Sequence, residues 1–215
     1  VIKLATDLGV KSVLTPNLSL ALGSSEVSLL DLTSAYAGFL NLGYSVFPRG
    51  WTDLTLKSSG EPLITVTTHE GDRVMNEYAT KALINMLREA VNRGTGRRAK
   101  IEDWEIAGKT GTSQNSRDAW FVGFTSRYVA GVWIGYDDNS TLKGVTGGTL
   151  PAQIWATIMK EIHHVEPVPL PKISEDKYAK FFSNNSTSFQ SLEENPKQTD
   201  SFLNRLLKFF QDTNE

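Results

Sequence analysis

Ala107-Gly-Lys-Thr-Gly-Thr-Ser113, Ala119-Trp-Phe-Val-Gly-Phe124 and Tyr128-Val-Ala-Gly-Val-Trp-Ile-Gly-Tyr136 follow one another with only short polar links between them. From Ile106 to Tyr136 the chain has strand character, with the aromatic and β-branched residues that suit a packed, pleated surface. The link Thr125-Ser-Arg127 is too short for a crossover, so the second and third runs are expected to be antiparallel neighbours. Their apolar residues fall on both sides of the pleat, which predicts helices over both faces of the sheet.

The first run carries the chemistry. Lys109 supplies a fixed ammonium that suits a nucleophilic serine and an acyl carboxylate, and the hydroxyls of Thr110 and Thr112 suit a terminal carboxylate. Gly111 removes a side chain, so that a peptide backbone could lie against the strand edge. A main-chain N–H just beyond it suits an oxyanion. A Lys-Thr-Gly triplet alone is equally a solvated turn lysine, so its meaning depends on what surrounds it.

Upstream, Asn76 is placed to cap a helix running to about Arg93, with Tyr78, Ala82, Leu83, Met86, Leu87, Ala90 and Val91 on one face. Leu54-Thr-Leu-Lys57 and Leu63-Ile-Thr-Val-Thr67 flank Ser58-Ser-Gly60-Glu-Pro62 and predict a hairpin. Glu26 to Leu42 is apolar on nearly all sides and predicts a buried helix stopped by Gly43. Val1 to Leu8 reads as the last turns of a helix capped by Gly9, which leads us to expect that the chain continues upstream of Val1. Downstream, Pro151 starts a helix with Ile154, Trp155, Ile158 and Met159 on one side.

Past Pro167 the composition changes. Residues 1–165 are expected to form the folded unit, 166–200 a flexible polar linker and 201–215 an amphipathic segment, with Phe202, Leu203, Leu206, Leu207 and Phe210 on one stripe. That stripe fits a partner, a membrane surface or the protein's own body equally well.

Lys and Arg total 22 against 24 Asp and Glu, a net charge of −2 that gives no reason to expect nucleic acid as a partner. The 215 residues contain no cysteine, which excludes disulfides and thiolate chemistry. His69, His163 and His164 have no metal-ligand spacing, and His163-His164 fits a favourable helix C-terminus better than a metal or a base. Arg97-Arg98 and Arg117-Asp118 read as solvated surface, although they suit an anionic glycan or peptide. The tryptophans are core by pattern, except that Trp51 and Trp104 are free to line a cleft.

Several stretches carry a family resemblance together with the Lys-Thr-Gly motif. They are Leu18-Ser-Leu-Ala-Leu-Gly-Ser-Ser-Glu-Val27 with Ala35-Tyr-Ala37 and Leu42-Gly43, Gly94-Thr-Gly-Arg-Arg-Ala99, Asp118-Ala-Trp-Phe-Val-Gly-Phe124, Gly131-Val-Trp-Ile-Gly-Tyr-Asp-Asp138 and Gly147-Gly-Thr-Leu-Pro-Ala-Gln-Ile-Trp155. In content and order they resemble the transpeptidase domain of class A (bifunctional) penicillin-binding proteins over about residues 1 to 163. The resemblance implies an α/β (α+β type) fold, penicillin-binding and serine β-lactamase-like: an antiparallel sheet flanked by helices, incomplete in this chain. It implies Lys109 and Thr112 as catalytic residues, the latter through its N–H. It further implies Thr110, Gly111, Thr112 and Ser113 as substrate-binding residues, with no metal and no cofactor.

The implied activity is peptidoglycan D,D-transpeptidation, in a parent that is also a glycosyltransferase. It would be anchored upstream on the periplasmic side of the bacterial inner membrane, with roles in cell shape and antibiotic resistance. Implied partners are peptidoglycan stem peptides, the lipid-linked precursor, β-lactams and cell-wall proteins. The family's nucleophile motif, S-x-x-K, and its S-x-N element precede the Lys-Thr-Gly. Here S-x-x-K occurs only at Ser140–Lys143 and Ser174–Lys177, and S-x-N at Ser113–Asn115 and Ser183–Asn185. Neither serine of the first pair suits the start of a buried helix, so no nucleophile is expected in this chain and the isolated fragment is expected to be inactive. A D,D-carboxypeptidase or β-lactamase-like hydrolase, and a non-catalytic interaction module with the same fold, remain open alternatives.

Overall fold

In the computed structural model, which describes residues 1–51, 53–65 and 71–173, the chain enters as a short helix, α1 (Ile2–Asp7). It leaves that helix at Gly9, whose φ of +100° lies in the left-handed region that glycine adopts without strain. Ser28 then caps α2 (Leu29–Leu40) by accepting a hydrogen bond from the N–H of Asp31. The expected hairpin forms as β1 (Asp53–Thr55) and β2 (Pro62–Thr65), antiparallel, with Leu54 opposite Ile64. Asn76 caps α3 (Glu77–Asn92), its side chain accepting from the N–H of Ala79 at 2.7 Å.

Three strands follow: β3 (Ala107–Thr112), β4 (Asp118–Phe124) and β5 (Val129–Gly135). They form an antiparallel sheet in the order β3-β4-β5, with Lys109 opposite Val122, Gly111 opposite Trp120 and Trp120 opposite Trp133. The antiparallel pairing expected for the second and third runs is therefore present. The last helix is α4 (Leu150–Ile162), with Pro151 in its first turn.

Alternation along the strands divides the sheet into two faces. One face carries Phe121, which packs edge-on against Trp155 of α4, their centroids 5.3 Å apart. Val91, Ala99, Ile106, Ala152 and Met159 complete that core. The other face carries Ala107 and Phe124, which pack with Ile84, Leu87 and Leu170 and with Tyr36 and Phe39 of α2. Helices thus cover both faces as expected, α4 on the first and α2 and α3 on the second, although cover on the second face is uneven. It closes over Phe124, but Trp133 at the opposite end of β5 remains 39% exposed.

The helices depart from their expected faces. In α2 only Ser34, Ala35 and Gly38 are fully buried, and Leu30 is 60% exposed. Small residues let α2 lie close on the sheet, where a Cβ on Gly131 would come within 2.5 Å of the Thr33 hydroxyl, and the bulkier leucine is left outside. In α3 the inward stripe is rotated: Ile84 is fully buried while Met86 is 44% exposed. In α4 Ala152 and Ala156 face the core and Ile158 is exposed. The expected linker also begins differently. Leu170 is 2% exposed within the core of the second face, and its N–H donates to Glu105 Oε2 at 2.9 Å. Lys172 pairs with the same carboxylate. The remainder of that linker and the amphipathic segment 201–215 lie outside the described residues.

Candidate active site at the outer edge of the sheet

Beyond β3 the N–H of Ser113 donates to the carbonyl oxygen of Asp118 at 3.0 Å. Hydrogen-bonded pairs alternate along an antiparallel ladder, so Gly111 and Lys109 direct their main-chain groups toward β4. The N–H and C=O groups of Thr110 and Thr112 therefore point away from it. Among the described residues no strand pairs with that outer edge.

Each polar side chain on this edge has a partner from elsewhere in the chain or from the adjacent residue. The exposed Lys109 ammonium curls back over the edge and donates to the carbonyl oxygen of Thr110 at 3.0 Å and to its hydroxyl at 3.4 Å. The Thr110 hydroxyl lies 2.6 Å from the hydroxyl of Thr95, in the turn that follows α3. Thr112 Oγ1 accepts from the N–H of Gly147 at 3.0 Å, which leaves its own proton free to donate. Ser113 Oγ accepts from the N–H of Asp118 at 2.8 Å and likewise keeps its proton.

Glycine is required where the loop before α4 crosses the strand. A Cβ on Gly147 would lie 2.3 Å from the carbonyl oxygen of Trp120 and 2.4 Å from that of Gly111. At Gly111 a Cβ would approach Trp120 Cβ to 3.2 Å, so the strand surface there is narrowed to backbone. The result is an ammonium, two hydroxyls able to donate and an outward row of main-chain groups on one strip. Such a strip can take an extended peptide ending in a carboxylate. Among the described residues no group of three His, Asp or Glu side chains is placed to hold a metal ion.

A sequence model of the penicillin binding protein transpeptidase domain matches residues 8–160. The chain belongs to the penicillin-binding protein transpeptidase family. Penicillin-binding protein 1A of Aquifex aeolicus is 40% identical over 155 residues, covering 72% of this chain and 21% of that protein. Penicillin-binding protein 1A of Pseudomonas aeruginosa is 29% identical over 193 residues, covering 66% and 24% respectively. This transpeptidase-family chain thus spans about a fifth to a quarter of the length of these curated relatives. The penicillin-binding protein PonA1 from Mycobacterium tuberculosis shares the fold, with a TM-score of 0.71 at 23% identity over 80% of this chain and 51% of that one. PonA1 is also known in complex with penicillin V.

The remaining candidates fall away from the β3 edge. Ser140 sits in an exposed loop, where its N–H donates to Asp138 Oδ1 at 3.0 Å and its hydrogen bonds hold the Asp138 carboxyl below the ordinary value. Ser174, Ser183, His69 and the Phe202–Phe210 stripe lie outside the described residues. Ser113-Gln-Asn115 forms the turn after β3, with Asn115 and Ser116 at φ of 59° and 50°.

His163 caps α4, as its position suggested, and is also pinned by its neighbours. Its Nδ1 lies 2.5 Å from the carbonyl oxygen of Met159 and its Nε2 lies 2.8 Å from the Thr125 hydroxyl. Trp104 packs edge-on against that imidazole rather than lining a cleft. Arg97, Arg98 and Arg117 are exposed. Thr95 and Gly147 were not singled out individually by the sequence. Both lie inside stretches that carried the family resemblance as a whole, and their links to β3 are long-range.

Proposed function

We propose that this chain is the C-terminal portion of a serine-type D,D-transpeptidase that cross-links peptidoglycan stem peptides. The observation that carries this reading is the open outer edge of β3, where Thr110 and Thr112 direct main-chain and hydroxyl groups beside the Lys109 ammonium. A stem peptide ending in D-Ala-D-Ala lies along that edge, its terminal carboxylate accepting from the Thr110 and Thr112 hydroxyls, with Ser113 assisting. Gly111 leaves room for the peptide backbone.

A serine outside this sequence attacks the carbonyl carbon of the D-Ala-D-Ala bond. The N–H of Thr112 stabilises the oxyanion, and Lys109 stabilises charge and relays the serine proton to the departing amine. D-Alanine leaves and a serine ester remains. An amine on a neighbouring stem then attacks the ester, and the serine oxygen recovers its proton. The same serine is acylated by β-lactams. The parent protein also polymerises the lipid-linked precursor through a glycosyltransferase domain, and an upstream segment anchors it on the periplasmic side of the inner membrane.

Intact mass before and after incubation with a penicillin tests this. The expected result is an adduct on the full-length protein and none on residues 1–215 alone. An adduct on the 23.8 kDa chain itself would return the nucleophile to Ser140 or Ser174. No adduct on either species would overturn the enzyme reading in favour of a non-catalytic module.

A further inference from the structure

We propose that Thr95 is a positioning residue that turns the Thr110 hydroxyl toward the carboxylate of the bound substrate. The inference rests on the reading of Thr110 given above and extends it to a residue on a different element.

The two hydroxyl-bearing residues of β3 are held differently. Thr112 Oγ1 accepts from a main-chain N–H, that of Gly147, so its own proton stays available to donate to a ligand. Thr110 has no such fixed donor. Its oxygen sits 2.6 Å from Thr95 Oγ1, and either hydroxyl can give the proton. With Thr110 donating to Thr95, its proton is directed away from a ligand. With Thr95 donating to Thr110, and the Lys109 ammonium at 3.4 Å also donating, both lone pairs of the Thr110 oxygen are engaged. The Thr110 proton then points out along the open edge. A carboxylate arriving there selects the second arrangement, because only that one offers it a charge-assisted hydrogen bond.

Thr95 is held firmly enough to do this. Its turn is fixed by the N–H of Gly94 on the carbonyl oxygen of Glu89 at 3.1 Å and by that of Gly96 on Ala90 at 2.9 Å, both at the end of α3. From the other side Gly148 packs so closely that a Cβ there would lie 2.5 Å from the Thr95 carbonyl oxygen. The loop that supplies the Gly147 donor to Thr112 therefore also backs Thr95, so one loop serves both hydroxyls.

The test uses the full-length protein and compares acylation rate constants for benzylpenicillin and for its methyl ester, which lacks the charged carboxylate. Thr95→Val is expected to lower the acid-to-ester rate ratio about tenfold, the order expected for one hydrogen bond to a charged group. Thr95→Ser should keep the parental ratio, and Thr95→Ala should repeat the loss if the valine variant folds poorly. Thr110→Val, measured alongside, should lower the ratio at least as far. If Thr110→Val lowers the ratio and both Thr95→Val and Thr95→Ala leave it unchanged, the role of Thr95 is overturned while the reading of the site stands. If Thr110→Val leaves it unchanged too, the carboxylate reading fails and Thr95 with it. An equal fall for acid and ester in Thr95→Val and Thr95→Ala also overturns the proposal, since general disruption of the edge produces that pattern.

Discussion

The Lys109 side chain is exposed and among the described residues its ammonium donates only to the adjacent Thr110, so its removal tests the proposed chemistry and leaves packing alone. Lys109→Ala in the full-length protein is expected to lower the rate of acylation by penicillin roughly 100- to 1000-fold, the scale on which a preorganised group at a reacting centre acts. Stability should stay within about 0.5 kcal/mol, as for other surface substitutions. A large drop in melting temperature would instead make Lys109 a structural residue. Gly147 is the opposite case. Gly147→Ala forces a methyl group against two main-chain oxygens and is expected to cost about 1–3 kcal/mol, read as a lower urea midpoint. Lys109 to Ser113 stand out as candidates in the sequence because their side-chain types lie in adjacent letters. Thr95 and Gly147 reach the same strip from 15 and 35 residues away from their partners, a proximity that only the folded chain creates.

Among the elements, the strap after α4 shows how composition misleads. Pro167 to Lys172 has the character of a linker, yet its single leucine enters the core beside Ala107, the first residue of the strand that bears Lys109. Burial raises the Glu105 carboxyl, but hydrogen bonds from Lys172 and the Leu170 N–H, with the charges of Arg88 and Lys172, outweigh it and hold the group below its ordinary 4.5. A carboxyl lowered in the folded state contributes stability that is fully present above 4.5 and is lost as the pH falls through the folded value. The strap is therefore expected to loosen below about pH 4.5, seen as a lower hydrogen-exchange protection factor at the Leu170 amide. Glu105→Gln should flatten that acid limb, and an unchanged limb in the variant would assign it to other carboxylates. The helix starts, in contrast, were readable, since Asn76 caps α3 through its own side chain. The inward faces were not. Small residues decide which stripe approaches the sheet, and the periodic pattern puts Met86 on the inward face of α3 where the structure buries Ile84.

For the whole molecule, the two faces of the sheet are covered to different extents. The face under α4 is sealed: Trp155 has no exposed surface, packs on Phe121 and donates through its indole N–H to the carbonyl oxygen of Ala130 at 3.0 Å. The other face is sealed only around Phe124 and opens toward Gly111, Trp120 and Trp133. There the Trp133 indole donates to Asp118 Oδ1 at 2.9 Å while part of its surface meets solvent. A pattern of apolar residues marks both tryptophans as core, because it records what a strand can bury and not what covers it. The same substitution at the two positions separates these situations. Trp155→Phe removes a buried hydrogen-bond donor and leaves a void that rigid neighbours cannot fill, which is expected to cost about 2–4 kcal/mol. Trp133→Phe loses a partly solvated bond and little packing, and is expected to cost under about 1 kcal/mol. Urea unfolding followed by circular dichroism distinguishes them. Equal losses at the two positions would mean that the open face is covered in solution, and that the strip beside Lys109 is less accessible than its exposure indicates.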